Sequence, residues 1–170
     1  MRISAERGDL TRADVDAIVN AASSTLLGGG GVDGAIHVAA GPKLLEACRR
    51  LRRTELPDGL PPGQAVATDG FDLPARWVIH TVGPSWNRGQ RDPAVLASCF
   101  TTSLDVATDL GATSVAFPAV SAGAYGWDVD TVAKTAVAAV RAWHGPSVAE
   151  VRFVLFTASA LTAFTTALTS

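Results

Sequence analysis

Glycine crowds two stretches of this chain, Gly28-Gly29-Gly30-Gly31-Val32-Asp33-Gly34 and Ser121-Ala122-Gly123-Ala124-Tyr125-Gly126-Trp127. Each follows a short apolar run that reads as a buried strand, and each leads into a helical pattern. Glycine lets the main chain approach an anion closely, and a helix N-terminus offers unpaired N–H groups with a partial positive charge. A strand, a glycine loop and a helix start together make a phosphate cradle. Two such cradles suggest clamps on either side of a diphosphate. Asp33 falls in the first turn of the helix that the first loop opens, where an acid favours the dipole by a few tenths to about 1 kcal/mol. His37, four residues later, shares that helix face with Asp33.

The first loop also satisfies G-x-G-x-x-G, so a dinucleotide-binding sheet with nicotinamide chemistry has to be weighed. It fits poorly. The fingerprint should begin where its strand ends, but Gly29 lies nine positions beyond Asn20. The acid expected about 20 positions later should close a second strand, whereas Glu55 sits in a proline-rich loop. A Walker A loop is excluded because no Gly-Lys-Ser/Thr follows, and a protein kinase is excluded by size.

The elements that must hold these loops alternate. Strand-like runs occur at Asp16–Asn20, Gln64–Thr68, Trp77–Val82, Thr113–Phe117 and Val151–Phe156, with a weaker one near Arg2–Glu6. Helical patterns cover Pro42–Arg53, Pro93–Leu110, Asp128–Trp143 and Ser159–Leu168. Asp92 and Asp128 stand as N-caps, Pro93 at a first turn and Gly111 at a helix end. The segment Thr54–Gly63, with three prolines and two glycines, reads as a surface loop. Strands alternating with helices predict a three-layer α/β/α sandwich, a mixed but mostly parallel central sheet with helices on both faces. The 170 residues are expected to form one such domain.

Composition narrows the function. A net charge of −2 gives no broad basic footprint for duplex nucleic acid. The one basic cluster, Arg49, Arg50, Arg52 and Arg53, ends a helical pattern, where cations complement the dipole. Cys48 and Cys99 lie on apolar stripes and read as buried thiols, not a disulfide or half a metal site. No apolar run approaches the ~20 residues that span a bilayer, and Asp14 and Asp16 interrupt the first apolar stretch, so no signal peptide is read. A soluble, cytoplasmic protein, working as a monomer without a cofactor, is the expectation.

A sharper match comes from the residues around the loops. Gly8-Asp9-Leu10-Thr11, Asp16-Ala17-Ile18-Val19-Asn20-Ala21-Ala22, Leu26-Leu27-Gly28-Gly29-Gly30-Gly31-Val32-Asp33-Gly34-Ala35-Ile36-His37, Val78-Ile79-His80-Thr81-Val82-Gly83-Pro84 and Ala116-Phe117-Pro118-Ala119-Val120-Ser121-Ala122-Gly123-Ala124-Tyr125-Gly126 follow one another along the chain. In that order they resemble the macro domain family. Four glycines followed by Val-Asp-Gly look like its MacroD-type branch, which removes ADP-ribose from proteins or from O-acetyl-ADP-ribose.

The resemblance implies a role for each position. Asp9 accepts a hydrogen bond from the adenine amino group, with the Leu10 backbone alongside; by itself Asp9 reads as a turn residue. Phe156 stacks on adenine; by itself it reads equally well as core. The diphosphate lies between the backbone of Gly29, Gly30, Gly31 and Val32 and that of Ser121, Ala122, Gly123, Ala124, Tyr125 and Gly126. Tyr125 stands beside the distal ribose, and Asn20 hydrogen-bonds its hydroxyls. Asp33, beside the distal ribose, orients the water that cleaves the ester, accepts its proton or holds a ribose hydroxyl; a diphosphate oxygen of the substrate is the alternative base. His37 tunes Asp33, contacts substrate, or simply packs; His80 reads as core. The histidines and cysteines show no metal-ligand spacing, so hydrolysis without a protein-bound metal is expected.

Two positions depart from the family pattern: Ser23 replaces the second Asn of Asn-Ala-Ala-Asn, and Val38 replaces an Arg after Ile36-His37. They give weight to a second reading, a non-catalytic module that binds ADP-ribose. A processive poly-ADP-ribose glycohydrolase is disfavoured because the chain contains no Glu-Glu.

Overall fold

The computed structural model describes residues 1–170. Six strands, β1 (Arg2–Arg7), β2 (Ala17–Ala21), β3 (Ala65–Asp69), β4 (Trp77–Thr81), β5 (Ser114–Phe117) and β6 (Glu150–Leu155), form one sheet in the order β1-β6-β5-β2-β4-β3. Neighbours are parallel except β3, which runs antiparallel to β4 at the edge. Five helices intervene: α1 (Gly31–Ala40), α2 (Pro42–Thr54), α3 (Pro93–Leu110), α4 (Val129–Ala142) and α5 (Ala158–Thr169).

Alternation along each strand divides the core between the two faces of the sheet. Ala17, Val19 and Ile79 face α3, α4 and α5 in a cluster of 27 buried residues. Ile18, Val78 and Ala116 face α1 and α2 in a second cluster of 16. The result is the three-layer sandwich that the alternation of strands and helices predicts. Phe153 centres the larger cluster, its ring 4.9 Å from Phe164, 6.0 Å from Phe117 and 6.3 Å from Phe100. No helix is long and apolar enough to cross a membrane.

Strand ends are where sequence and structure differ. The weak run near Arg2–Glu6 is a full strand, because β6 pairs with it in register from Arg2↔Glu150 to Arg7↔Leu155. Tertiary pairing overrides its indifferent propensity. The third strand is displaced by one residue, to Ala65–Asp69. Single 3₁₀ turns at Leu10–Arg12 and Trp86–Arg88 have no counterpart in the sequence reading. Arg52 does more than complement a dipole: its guanidinium donates to the carbonyls of Leu56, Pro57 and Thr25. It thereby ties the end of α2 and the loop after it to the segment that leads into the first glycine loop.

What this architecture positions is clear from the strand directions. β1, β6, β5 and β2 are consecutive, parallel neighbours, so their carboxyl ends open on one edge of the sheet. Gly8-Asp9, Phe156, the Ser121 loop and the Asn20-to-Gly31 segment leave those four ends in that spatial order. Truncating the aromatic centre tests the frame. Phe153→Ala is expected to lower the unfolding free energy by about 3–5 kcal/mol, measured by urea denaturation.

Candidate functional site

The first glycine loop folds back on α1. Gly30 is its N-cap, no side chain closes the helix end, and Gly31 takes φ +59° in the first helical position. A Cβ on Gly34 would stand 2.6 Å from the Gly29 carbonyl oxygen, so only glycine admits this close return of loop onto helix. The first N–H groups of α1 thus face outward without intrahelical partners.

The second loop is built differently. Ser121 adopts φ +69° and donates its hydroxyl to the Pro84 carbonyl at 2.8 Å. The Trp127 N–H donates back to the Ser121 carbonyl, and Asn87 Nδ2 donates to the Ala124 carbonyl at 3.0 Å. Gly83 lies beneath; a Cβ there would collide with Ser121. The helix after this loop does not present a free end, because the Asp128 carboxylate accepts from Thr131 N at 3.1 Å. The sequence reading of two equivalent helix-start cradles is corrected accordingly. In the second, only the loop's own amides remain to meet an anion.

Beneath the first loop lies a chain of buried polar side chains. Asp33, 5% exposed, accepts at Oδ1 from Asn20 Nδ2 at 2.9 Å. His37 Nε2 lies 3.4 Å from the same oxygen. Oδ2 faces Gly29, where a Cβ would stand 3.2 Å away. Asn20, pointing inward, is fully buried; its Nδ2 is also 3.1 Å from His80 Nδ1, and its Oδ1 has no partner. His80 Nε2 in turn lies 2.9 Å from Thr68 Oγ1 and 4.0 Å from Cys48 Sγ. Asn20 and His80 are register partners on β2 and β4, on the face that otherwise carries Ile18 and Val78.

The sequence analysis places Asp33, Asn20 and His37 together, and they are together. It reads His80 as core, which holds, yet misses that His80, Thr68 and Cys48 continue the polar chain. A histidine inside an apolar strand opposite an Asn strand is the only signal that could have revealed it. Tyr125 lies in the second loop, half-buried, with its carbonyl accepting from Asn87 N–H.

At the far end of the row, Asp9 caps the Leu10–Arg12 turn, accepting from Thr11 N at 3.0 Å and Thr11 Oγ1 at 2.6 Å. The Thr11 hydroxyl bond, chiefly, lowers its pKa below the ordinary carboxylate value, with burial opposing. The turn reading of Asp9 is therefore real, and one carboxylate oxygen carries it. Leu10 is buried. Phe156 is 87% exposed, which removes the alternative that it is core: an aromatic ring stands in solvent directly after β6. Beside it, Glu6, Gly8, Asp9, Arg12, Ala13, Asp14, Arg152 and Val154 line a shallow hollow of about 210 Å³. Ser23 donates to or accepts from Thr25 Oγ1 at 3.0 Å, and Val38 is 85% exposed.

His80 makes the polar chain sensitive to acid. Complete burial, with the neighbouring His37 second, lowers its pKa from 6.5 to about 3. Between those values the unfolded chain takes up a proton that the folded one refuses. Stability from this source is therefore full above pH 6.5 and is lost as the pH falls toward 3. Urea denaturation should show a loss of about 2 kcal/mol between pH 7.5 and 5 that is missing from His80→Asn.

These features belong to a recognisable family. The macro domain family model matches residues 19–136, from the strand that carries Asn20 to the middle of α4. A macro domain-containing protein of Streptomyces coelicolor is 57% identical over 162 residues, covering 95% of both chains. The Oceanobacillus iheyensis macrodomain, solved with ADP, superposes with TM-score 0.92 at 40% identity over 97% of this chain and 88% of its own. The Trypanosoma brucei macrodomain, in complex with ADP-ribose, gives 0.89 at 36% identity over 98% of this chain and 69% of its own. The chain is a member of the macro domain family.

Proposed function

We propose that this protein binds ADP-ribose along the row of strand ends and hydrolyses ADP-ribosyl esters, in the manner of the MacroD-type branch. The substrates are mono-ADP-ribosylated Asp or Glu side chains on proteins, O-acetyl-ADP-ribose, or both. The observation that carries the reading is Asp33: a buried carboxylate under an uncapped glycine-loop helix start, held at Oδ1 by Asn20 and approached there by His37. The solved relatives that hold ADP or ADP-ribose support the ligand.

The ligand runs in the order of the strands. Adenine stacks on the exposed Phe156 ring, with its amino group toward Asp9. Three strand spacings of ~4.8 Å separate β1 from β2, a distance suited to an elongated nucleotide. The diphosphate rests on the amides of Gly29–Val32 and on those of the Ser121–Gly126 loop other than Ala122 and Gly126, which donate to Ala119 and Gly123, and Tyr125 flanks the distal ribose. Backbone donors suit a chain with a net charge of −2, because they bind phosphate without a cluster of cations.

Hydrolysis then needs one water, and Asp33 Oδ2 is the acceptor left to orient it and take its proton. The water's hydroxyl completes one product and its proton the other, releasing ADP-ribose and the free carboxylic acid. His37, beside Oδ1, is placed to receive or stabilise that proton, and the Asn20 amide holds the carboxylate and a ribose hydroxyl. The reading in which the protein only binds ADP-ribose is the competing outcome.

Asp33→Ala is expected to keep ADP-ribose affinity within about threefold by calorimetry while its release from an ADP-ribosylated glutamate substrate falls by 10²-fold or more, roughly the value of a positioned base. Wild-type binding without release would leave a reader; no binding at all would overturn the proposal. Phe156→Ala, which removes an exposed ring, should weaken ADP-ribose binding by about 1–3 kcal/mol and leave the thermal unfolding midpoint unchanged.

A further inference from the structure

We infer that His80, which touches no ligand in the reading above, is a positioning residue: its Nδ1 lone pair fixes which way the Asn20 amide points. Asn20 Nδ2 lies 2.9 Å from Asp33 Oδ1 and 3.1 Å from His80 Nδ1. A carboxylate oxygen accepts, so the nitrogen end of the amide faces both groups, and His80 Nδ1 has to be an acceptor. In a neutral ring the proton then sits on Nε2, which donates to Thr68 Oγ1 at 2.9 Å. Asp33 by itself enforces the amide orientation only while it is a carboxylate. Once it has taken a proton it can pair with either end of Asn20, and the amide is free to turn over.

His80 removes that freedom. The groups that touch it are Asn20, Thr68 and Cys48; beyond them stand His37 and the Asp33 carboxylate, which the Asn20 amide separates from the ring. None of the groups in contact is an anion, and complete burial holds the ring neutral. Nδ1 therefore stays an acceptor through a proton transfer at Asp33 unless the imidazole changes tautomer and the Thr68 hydroxyl reverses with it, so the amide cannot turn over alone. With both Asn20 N–H groups engaged, Oδ1 is the amide's one free polar atom, and it is buried without a partner. Buried acceptors are matched in folded proteins, so this oxygen is kept for a donor that arrives with the substrate, a ribose hydroxyl or the water. Asp33 and Asn20 set the tautomer, Thr68 pairs with the Nε2–H, His80 holds the amide orientation, and Asn20 offers the acceptor that the ligand meets.

The inference rests on the hydrolase reading for its kinetic consequence but not for its geometry, and the test separates the two. Nitrogen-15 spectra of the wild-type ring should show Nδ1 bare and Nε2 protonated from pH 5 to 8, with or without turnover. A ring protonated on Nδ1, or charged in that range, overturns the inference. The variants then rank by chemistry, not size. Asn places its Oδ1 where Nδ1 was, whereas Gln, nearer to His in volume, reaches only the Nε2 position. His80→Asn should retain kcat within about threefold, while His80→Gln and His80→Leu should lose on the order of 10- to 100-fold, as for a displaced buried hydrogen bond. All are compared at matched folded fraction. A Gln variant as active as Asn overturns the positioning role. If the wild type itself releases no ADP-ribose, the hydrolase reading falls, and the Asn20 side-chain amide resonances decide alone: they should shift in the Gln variant and stay in the Asn variant. Unmoved resonances in both overturn it.

Discussion

A polar group buried in an apolar layer must find a partner, and here that requirement ties the carboxyl end of β2 to the start of α1. Asn20 and His80 stand where the strand pattern would otherwise place aliphatic side chains, on a face packed with Ile18, Val78, Ile36 and Leu44. Leaving either unpaired costs on the order of 1–3 kcal/mol. Asn20 meets this by bonding to Asp33, which lies in the first turn of α1. That one bond docks the start of α1 on the carboxyl end of β2, and the glycine loop between them takes its shape from the span it must bridge. The close return of Gly34 onto Gly29 follows.

The remaining supports of the loop are of the same kind. Arg52 donates to the Thr25 carbonyl and Leu60 N–H to that of Ser24, so the loop after α2 braces the approach to Gly28. Ser121 and Asn87 brace the second loop through carbonyls, not through the amides on its outer side. Some loop donors are used internally, those of Ala122 and Gly126 in turns and that of Leu27 on the Thr25 hydroxyl, and the rest are left for a ligand. In the proposed function anion binding is therefore a property of the main chain, which is why composition alone, with its slight net negative charge, shows no sign of it.

Much of this was legible beforehand, for reasons that differ by residue. Strand and helix periods reported the sandwich because each face of the sheet packs against helices, and Asp92 and Asp128 do cap their helices as read. The four-glycine loop announced itself because few other residues tolerate its geometry. Phe156 could not be settled from sequence: an aromatic at a strand end has the same pattern whether it turns into the core or out of it, and only the 87% exposure decides. The second loop was read as a helix-start cradle although the Asp128 cap, correctly read, already closes that helix end to other anions. His80 and Thr68 were hidden because alternation along a buried strand shows which face a residue takes but not whether its neighbour across the ladder is polar.

The two halves of the edge are physically separable. The recognition proposed above uses exposed groups, the Phe156 ring and loop amides, whose geometry comes from glycine and from turns. The chemistry proposed above uses side chains that are nearly or wholly buried and hold one another through Asp33 Oδ1 and Asn20 Nδ2. A substitution in the buried chain reaches the binding surface only through the loop that Asp33 anchors. On one fold, a binding module and a hydrolase differ by a handful of interior atoms. The departures at Ser23 and Val38 do not lie among them: one pairs with Thr25 and the other stands in solvent. Because Asn20, Asp33, His37 and His80 are joined, the chain carries both the buried polar network and the exposed edge that the proposed hydrolase requires.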